Sequence, residues 1–194
     1  MFPIVLASQS PARIALFAAI GIPASGVRPD VDESTILDPD PRRLAALRAA
    51  AKARSVRAPE ACVIGADQVA WMETPDGVVH FGKPTDPKDH LARLQSLRGR
   101  RHTLTTAVTL VHPRGEIHLT VDSHLVFRAD LSDAELAAYV ATREGSGCAG
   151  GYAVEGLGAQ LVAEIIGDYT NVLGLPVPSV IGALRGLGWR PSFA

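Results

Sequence analysis

Pro3-Ile4-Val5-Leu6-Ala7-Ser8-Gln9-Ser10-Pro11-Ala12-Arg13 sets an apolar run directly against a helix start. The short β-rich run Pro3 to Ala7 reads as a buried strand. Ser10 offers an N-cap hydroxyl, and Pro11 sits at the first helical position, where its missing N–H costs nothing. The helix continues through Ile14 to Ile20 and stops near Gly21. A strand that runs straight into a helix start brings unpaired N–H groups and the positive end of the helix dipole to one place, which suits an anion. Here two hydroxyls, of Ser8 and Ser10, and the guanidinium of Arg13 join them. The same residues also describe an ordinary capped helix, so the rest of the chain has to decide between the two.

Working outward, Gly26 to Val31 reads as extended and leads into Asp30-Val31-Asp32-Glu33-Ser34. Asp40 and Pro41 open a long Ala/Arg/Leu helix that reaches about Ala58. Ala61 to Ala66 forms a second buried strand that ends at Asp67-Gln68. Val69 to Met72 and Val78 to Phe81 flank the turn Thr74-Pro75-Asp76-Gly77 as a hairpin. Pro87 starts a helix to Leu97. A long hairpin then runs from Thr103 to His112 and from Ile117 to Phe127. Ser132-Asp133-Ala134-Glu135 is a capping box before a helix to about Thr142. Gly145 to Gly151 is a glycine-rich loop. Tyr152 to Val154 and Gln160 to Ile166 read as strands, and a last helix follows Pro176-Val177-Pro178. Early alternation of strand and helix with a central hairpin predicts an α/β fold with a mixed sheet.

The 194 residues suffice for one domain or two small lobes with a sizeable core. Hydrophobic residues make up 47% and charged residues 20%, the balance of a globular chain. A net charge of −1 supplies no global field for a nucleic acid polymer, so an anion site has to be local. The two cysteines, Cys62 and Cys148, lie far apart and form no zinc or redox motif, which makes a reducing cytoplasm the default expectation. No apolar run approaches the roughly 20 residues that span a bilayer, and no signal peptide is expected.

Gly145-Ser146-Gly147-Cys148-Ala149-Gly150 satisfies G-x-G-x-x-G in the wrong setting, with a capped helix before it and a strand expected after it. The acids are more telling. Asp67 follows a buried strand and Glu33 an extended segment, so two such ends can hold a divalent cation, or one can bind metal while the other activates water. The plain alternative is a pair of solvated loop acids. Arg13, Lys52 and Lys83 supply positive charge. Lys83 lies between Gly82 and Pro84 on a constrained backbone. Three cations at a helix N-terminus suit a polyphosphate, with Arg binding oxygens in pairs and Lys acting as a point charge.

Leu6 to Arg13, Asp30 to Ser34, Ala51-Lys52-Ala53, Ile64 to Val69, Gly82-Lys83-Pro84, Leu97 to His102, Gly150 to Gly156 and Gly167 to Pro176 together resemble the Maf-like family of nucleoside triphosphate pyrophosphatases over nearly the whole chain. The resemblance implies a single Maf-like domain over residues 1–194, with an elongated, curved mixed sheet flanked by helices and two lobes about a central cleft. It implies hydrolysis of a nucleoside triphosphate between the α and β phosphates, a divalent metal (Mg²⁺ or Mn²⁺), a cytoplasmic enzyme and a homodimer. No nucleic acid polymer or membrane is implied as a partner. Carried onto this sequence, Asp67 is the general base. Ser8, Arg13, Lys52 and Lys83 contact the triphosphate, Lys83 as part of the catalytic set. Glu33 is a metal or water partner, with Asp67 sharing the metal.

Within that family, Gln68 and Glu155 follow the pattern of a branch associated with 7-methylguanosine triphosphate, whereas the dTTP and UTP branch places Thr and Gln there. A Glu accepts hydrogen bonds from a guanine edge and favours a cationic base. Ala12 departs from that branch, which usually carries a Trp able to stack on the base. A second reading keeps the nucleotide and drops the chemistry: a regulator of cell division, because the family name is tied to septum inhibition.

Overall fold

The computed structural model describes residues 2–191. Seven strands form one mixed sheet: β1 (Ile4–Ala7), β2 (Ala24–Gly26), β3 (Cys62–Thr74), β4 (Gly77–Phe81), β5 (Arg101–His112), β6 (Gly115–Phe127) and β7 (Val162–Ile166). Their order is β2-β1-β3-β5-β6-β7, with β4 also paired to β3. Parallel pairs join β1 to β2 and to β3, with Leu6 opposite Gly26 and Ile64. Antiparallel pairs join β3 to β4 and β6 to β7.

Four α-helices lie between these strands and two follow the last: α1 (Pro11–Ala19), α2 (Pro41–Ser55), α3 (Pro87–Leu97), α4 (Asp133–Thr142), α5 (Tyr169–Val172) and α6 (Val177–Gly186). Four start as the sequence dictates. Ser10, Asp40, Asp86 and Ser132 each accept a first-turn backbone N–H, and Ser132 with Glu135 completes the capping box. Helix α1 ends before Gly21, whose φ of 68° is open to glycine at little cost.

The chain divides into two compact units. The first comprises Met1–Asp67, Thr106–Val121 and Gly174–Ala194; the second comprises Gln68–Thr105 and Asp122–Leu173. Each has its own core. In the first, Leu6, Phe17, Ile64, Leu110, Leu175 and Leu184 are fully buried. In the second, Leu94, Leu97, Leu125, Phe127 and Leu136 are. Both cores are sheet faces covered by the apolar sides of helices, which removes apolar area from water at about 25 cal/mol per Å².

Three sequence expectations change. The strand expected to end at Asp67-Gln68 runs on unbroken to Thr74, because Val69 to Met72 are buried too and the ladder continues through the polar pair. Asp67 therefore lies in mid-strand. Tyr152 to Val154 is buried but forms no strand; the Ala153 N–H is bonded to Tyr139 Oη at 3.0 Å instead of to a neighbouring strand. The extended stretch expected over Gly26 to Val31 is a strand only over Ala24–Gly26, since β1 gives way at Ser8 to the helix cap.

Candidate active site

In the first unit the decisive contact is backbone on backbone. A Cβ on Gly65 would lie 2.4 Å from the carbonyl oxygen of Ala49 and 2.5 Å from the Ala53 nitrogen. Glycine in β3 and alanine in α2 thus let helix and strand touch. That approach carries Lys52 to Asp67, two residues further along the strand. The Lys52 Nζ lies 2.7 Å from Asp67 Oδ1 and 2.7 Å from Glu33 Oε2. Lys52 and Asp67 are both 6% exposed, so the pair is shielded from water and salt. Glu33 opens a one-turn 3₁₀ helix capped by Asp32 and stays half-exposed.

Burial pushes the Asp67 carboxyl up, and the Glu33 charge adds to this; Lys52 and Arg13 work against it. Burial acts in the same direction on Glu33, but the Lys52 ammonium wins and holds that carboxyl below the usual range. The two acids are thereby driven apart, Asp67 towards holding a proton more readily and Glu33 towards staying ionised. Asp67 Oδ2 is buried and has no hydrogen-bond partner among the described residues.

Arg13 is fixed by two carbonyls. Its Nε donates to Gly174 O at 2.7 Å and its Nη1 to Ala66 O at 2.9 Å. Gly174 sits at a φ of 95° with the guanidinium 3.4 Å from where a Cβ would stand. Burial lowers the Arg13 pKa, against the pull of Asp67 and Glu33, yet a guanidinium remains charged at neutral pH. Ser8 is buried, and its Oγ accepts the Ser10 N–H at 3.1 Å, which shapes the turn before the cap. Ala12 is half-buried in the first turn of α1. Ser8, Arg13, Lys52, Glu33 and Asp67 therefore all belong to one unit, and the last three touch.

The second unit holds Lys83, Gln68 and Glu155. Lys83 is exposed just after β4. Gln68 donates from Nε2 to Asn171 O at 2.7 Å, so its amide ties β3 to α5. Glu155 is exposed at the tip of a loop, and its charge and that of Lys83 both reach Cys148.

That loop is strongly built, and the sequence reading missed what builds it. Glu144 accepts the Leu157 and Gly158 N–H groups, both at 2.9 Å. His90 Nε2 donates to Gly151 O at 2.5 Å, and His102 Nε2 lies 2.5 Å from Tyr152 Oη. In the first unit it also missed Arg48, one turn before Lys52, whose Nη2 donates to Ile36 O at 3.1 Å and so steadies the segment carrying Glu33. Its signal was the Arg48/Lys52 spacing of four on an alanine-rich helix.

The pattern of the family described as Maf-like protein matches residues 3–187. The chain belongs to this family. A relative from Caulobacter vibrioides, named dTTP/UTP pyrophosphatase, is 39% identical over 97% of this chain and 97% of its own. One from Thermosynechococcus vestitus, named nucleoside triphosphate pyrophosphatase, is 38% identical over 97% and 96%. Among solved structures, the Staphylococcus aureus Ham1 protein is 17% identical, covers 66% of this chain and 72% of its own, and has a TM-score of 0.47. The Caulobacter name differs from the methylguanosine branch that Gln68 and Glu155 suggest.

A divalent cation is implied by the sequence resemblance. Two carboxylates, one with an unpartnered buried oxygen, are hard donors of the kind Mg²⁺ takes one or two of, the rest coming from water and phosphate. The Glu33–Asp67 pair fits such an ion as a partial ligand set. Among the described residues no group of three or more His, Cys, Asp or Glu is placed to hold a metal. No helix there is long and apolar enough to cross a membrane.

Proposed function

We propose that this Maf-like chain hydrolyses the α–β phosphoanhydride of a nucleoside triphosphate, releasing the monophosphate and pyrophosphate, with dTTP and UTP as its preferred substrates. The reaction class is that of a hydrolase acting on anhydrides. The observation that carries it is the Lys52-bridged pair Asp67 and Glu33, with Arg13 fixed beside it.

In this reading water attacks the α phosphorus, the bond to the bridging oxygen breaks, and the proton passes to Asp67. The raised basicity of Asp67 suits that task, and its free Oδ2 is the accepting atom. Arg13 is held by backbone carbonyls, so it meets developing negative charge without having to be reoriented. Lys52 neutralises phosphate charge as a point donor. Glu33 stays ionised and orients the water. Glu33 and Asp67 are the residues that would hold a divalent cation, which when bound neutralises the phosphate oxygens.

The pyrimidine preference follows the name of the Caulobacter relative. One observation favours 7-methylguanosine triphosphate instead: Glu155 presents an exposed carboxylate able to accept from a guanine edge. Pyrophosphate release from dTTP, UTP, GTP and 7-methyl-GTP, with and without Mg²⁺ or Mn²⁺, separates these readings. Faster turnover of dTTP and UTP is expected. A preference for the methylated nucleotide selects the second reading, and no release from any of the four sinks both.

A further inference from the structure

Lys52 makes the free site an unusual place for a metal ion. Its ammonium is 2.7 Å from one oxygen of Glu33 and 2.7 Å from one of Asp67, so a monovalent cation already bridges the two carboxylates. The bridge is shielded, because the Lys52 side chain is 8% and the Asp67 side chain 9% exposed. Arg13 and Arg48 add positive charge that acts on the same acids. Two acids facing three cations leave no net negative field for a dication. A third protein carboxylate or imidazole to complete a ligand set is absent among the described residues.

A polyphosphate changes this balance. It brings several negative charges and many oxygens, and a lysine ammonium on its four-carbon stem follows them readily, whereas Arg13 is pinned. We propose that Lys52 is an internal counter-cation that closes the Glu33–Asp67 pair to divalent metal in the free enzyme, and that nucleotide opens the pair by drawing the ammonium onto its phosphates. Metal and nucleotide binding are then positively coupled, and by reciprocity each raises the affinity of the other by the same factor. The inference rests on the reading of Glu33 and Asp67 as metal-holding residues.

The test is Mn²⁺ binding to the protein without nucleotide, read by the electron paramagnetic resonance of the free ion. The wild type is expected to bind weakly. Lys52→Met is expected to bind Mn²⁺ about tenfold more tightly or better, within the range usual for such couplings. Adding Glu33→Gln to Lys52→Met should abolish the gain. Because Lys52→Met leaves two close carboxylates unbridged and is at risk of misfolding, Lys52→Gln, which keeps a hydrogen bond to them, is measured beside it, with thermal unfolding as a check. Tight Mn²⁺ binding by the nucleotide-free wild type overturns the inference without any variant. So does equal affinity in wild type and a folded Lys52 variant. If the variants gain Mn²⁺ affinity but the wild type releases no pyrophosphate, the lysine inference stands and the reaction falls. If pyrophosphate is released but the gain is missing, only the inference falls.

Discussion

The two units hold their candidate site side chains by opposite means. In the first, charges hold charges: Lys52 bridges Asp67 and Glu33 while Arg13 is tied to carbonyls, all close against a helix and strand that touch at Gly65. In the second, Lys83 and Glu155 are exposed, and the precision lies in the loop beneath them, built by Glu144, His90, His102 and Tyr152. In the proposed reading, the group whose proton affinity matters is buried among partners that tune it, whereas the group that selects a ligand is left open on a rigid backbone. Substitution of the buried Asp67 is therefore expected to act on kcat, and substitution of Glu155 or of the loop beneath it on KM and selectivity.

Asp67→Asn tests the first half most severely. It keeps the shape and the bond to Lys52 but removes the base. Activity is expected to fall about a hundredfold to ten-thousandfold, the usual worth of a positioned base, with nucleotide binding retained. Steady-state pyrophosphate release and calorimetric binding measure the two parts, and unchanged kcat removes Asp67 from the mechanism.

The second unit responds to acid through its scaffold. Burial, helped by the nearby His124 charge, pushes the His102 imidazole down to about 4. Unfolded, a histidine takes its proton near its ordinary value of about 6.5. The unfolded chain thus binds more protons between these values, so stability present above pH 6.5 is lost as pH falls towards 4. The shift corresponds to about 3 kcal/mol. Urea unfolding across this range should show that slope, and His102→Gln, which does not titrate, should flatten it. A slope that survives the substitution belongs to another group.

Glu144→Ala should be milder. It leaves the Leu157 and Gly158 N–H groups without their protein acceptor, at a cost of about 1 kcal/mol because water can reach them. If Glu144 serves the loop, KM rises and kcat holds, and Glu144→Gln, which keeps one acceptor, recovers part of the loss. A fall in kcat alone would erase the division between the units.

Much of the frame was legible because it is local. The Ser10-Pro11 helix start, the Asp40 and Ser132 caps, the Thr74–Gly77 turn and the long β5–β6 hairpin are written in neighbouring residues. Asp67, Glu33 and Lys52 were also singled out, but their meeting was not legible. It depends on α2 pressing on β3 at Gly65, a contact between residues far apart in sequence that looks, in one dimension, like an alanine-rich helix and a glycine in a strand. The buried His102–Tyr152 bond and the more exposed Glu144–loop bonds were missed for the same reason. Tyr152 to Val154 misled because its apolar run has the composition of a strand, while the backbone bond that would have paired it goes to a tyrosine hydroxyl.

The mildest change to the molecule decides the substrate. Glu155 is exposed, and the loop beneath it is fixed at Gly151, Tyr152, Ala153, Leu157 and Gly158, so a change at its carboxylate should not disturb the fold. Glu155→Gln keeps size and one acceptor, adds a donor, and removes the charge. A guanine edge offers neighbouring donors that a carboxylate accepts in pairs, and an amide accepts only one of them. A thymine or uracil edge offers both a donor and an acceptor, which an amide can match at once. The substitution is therefore expected to shift the ratio of kcat/KM for dTTP over 7-methyl-GTP by about tenfold towards dTTP, equivalent to about 1.4 kcal/mol. Stability and kcat for either nucleotide should stay near wild type. If the ratio does not move, Glu155 does not read the base. If kcat for both nucleotides falls together, residue 155 acts on the chemistry, and the second unit contributes more than recognition.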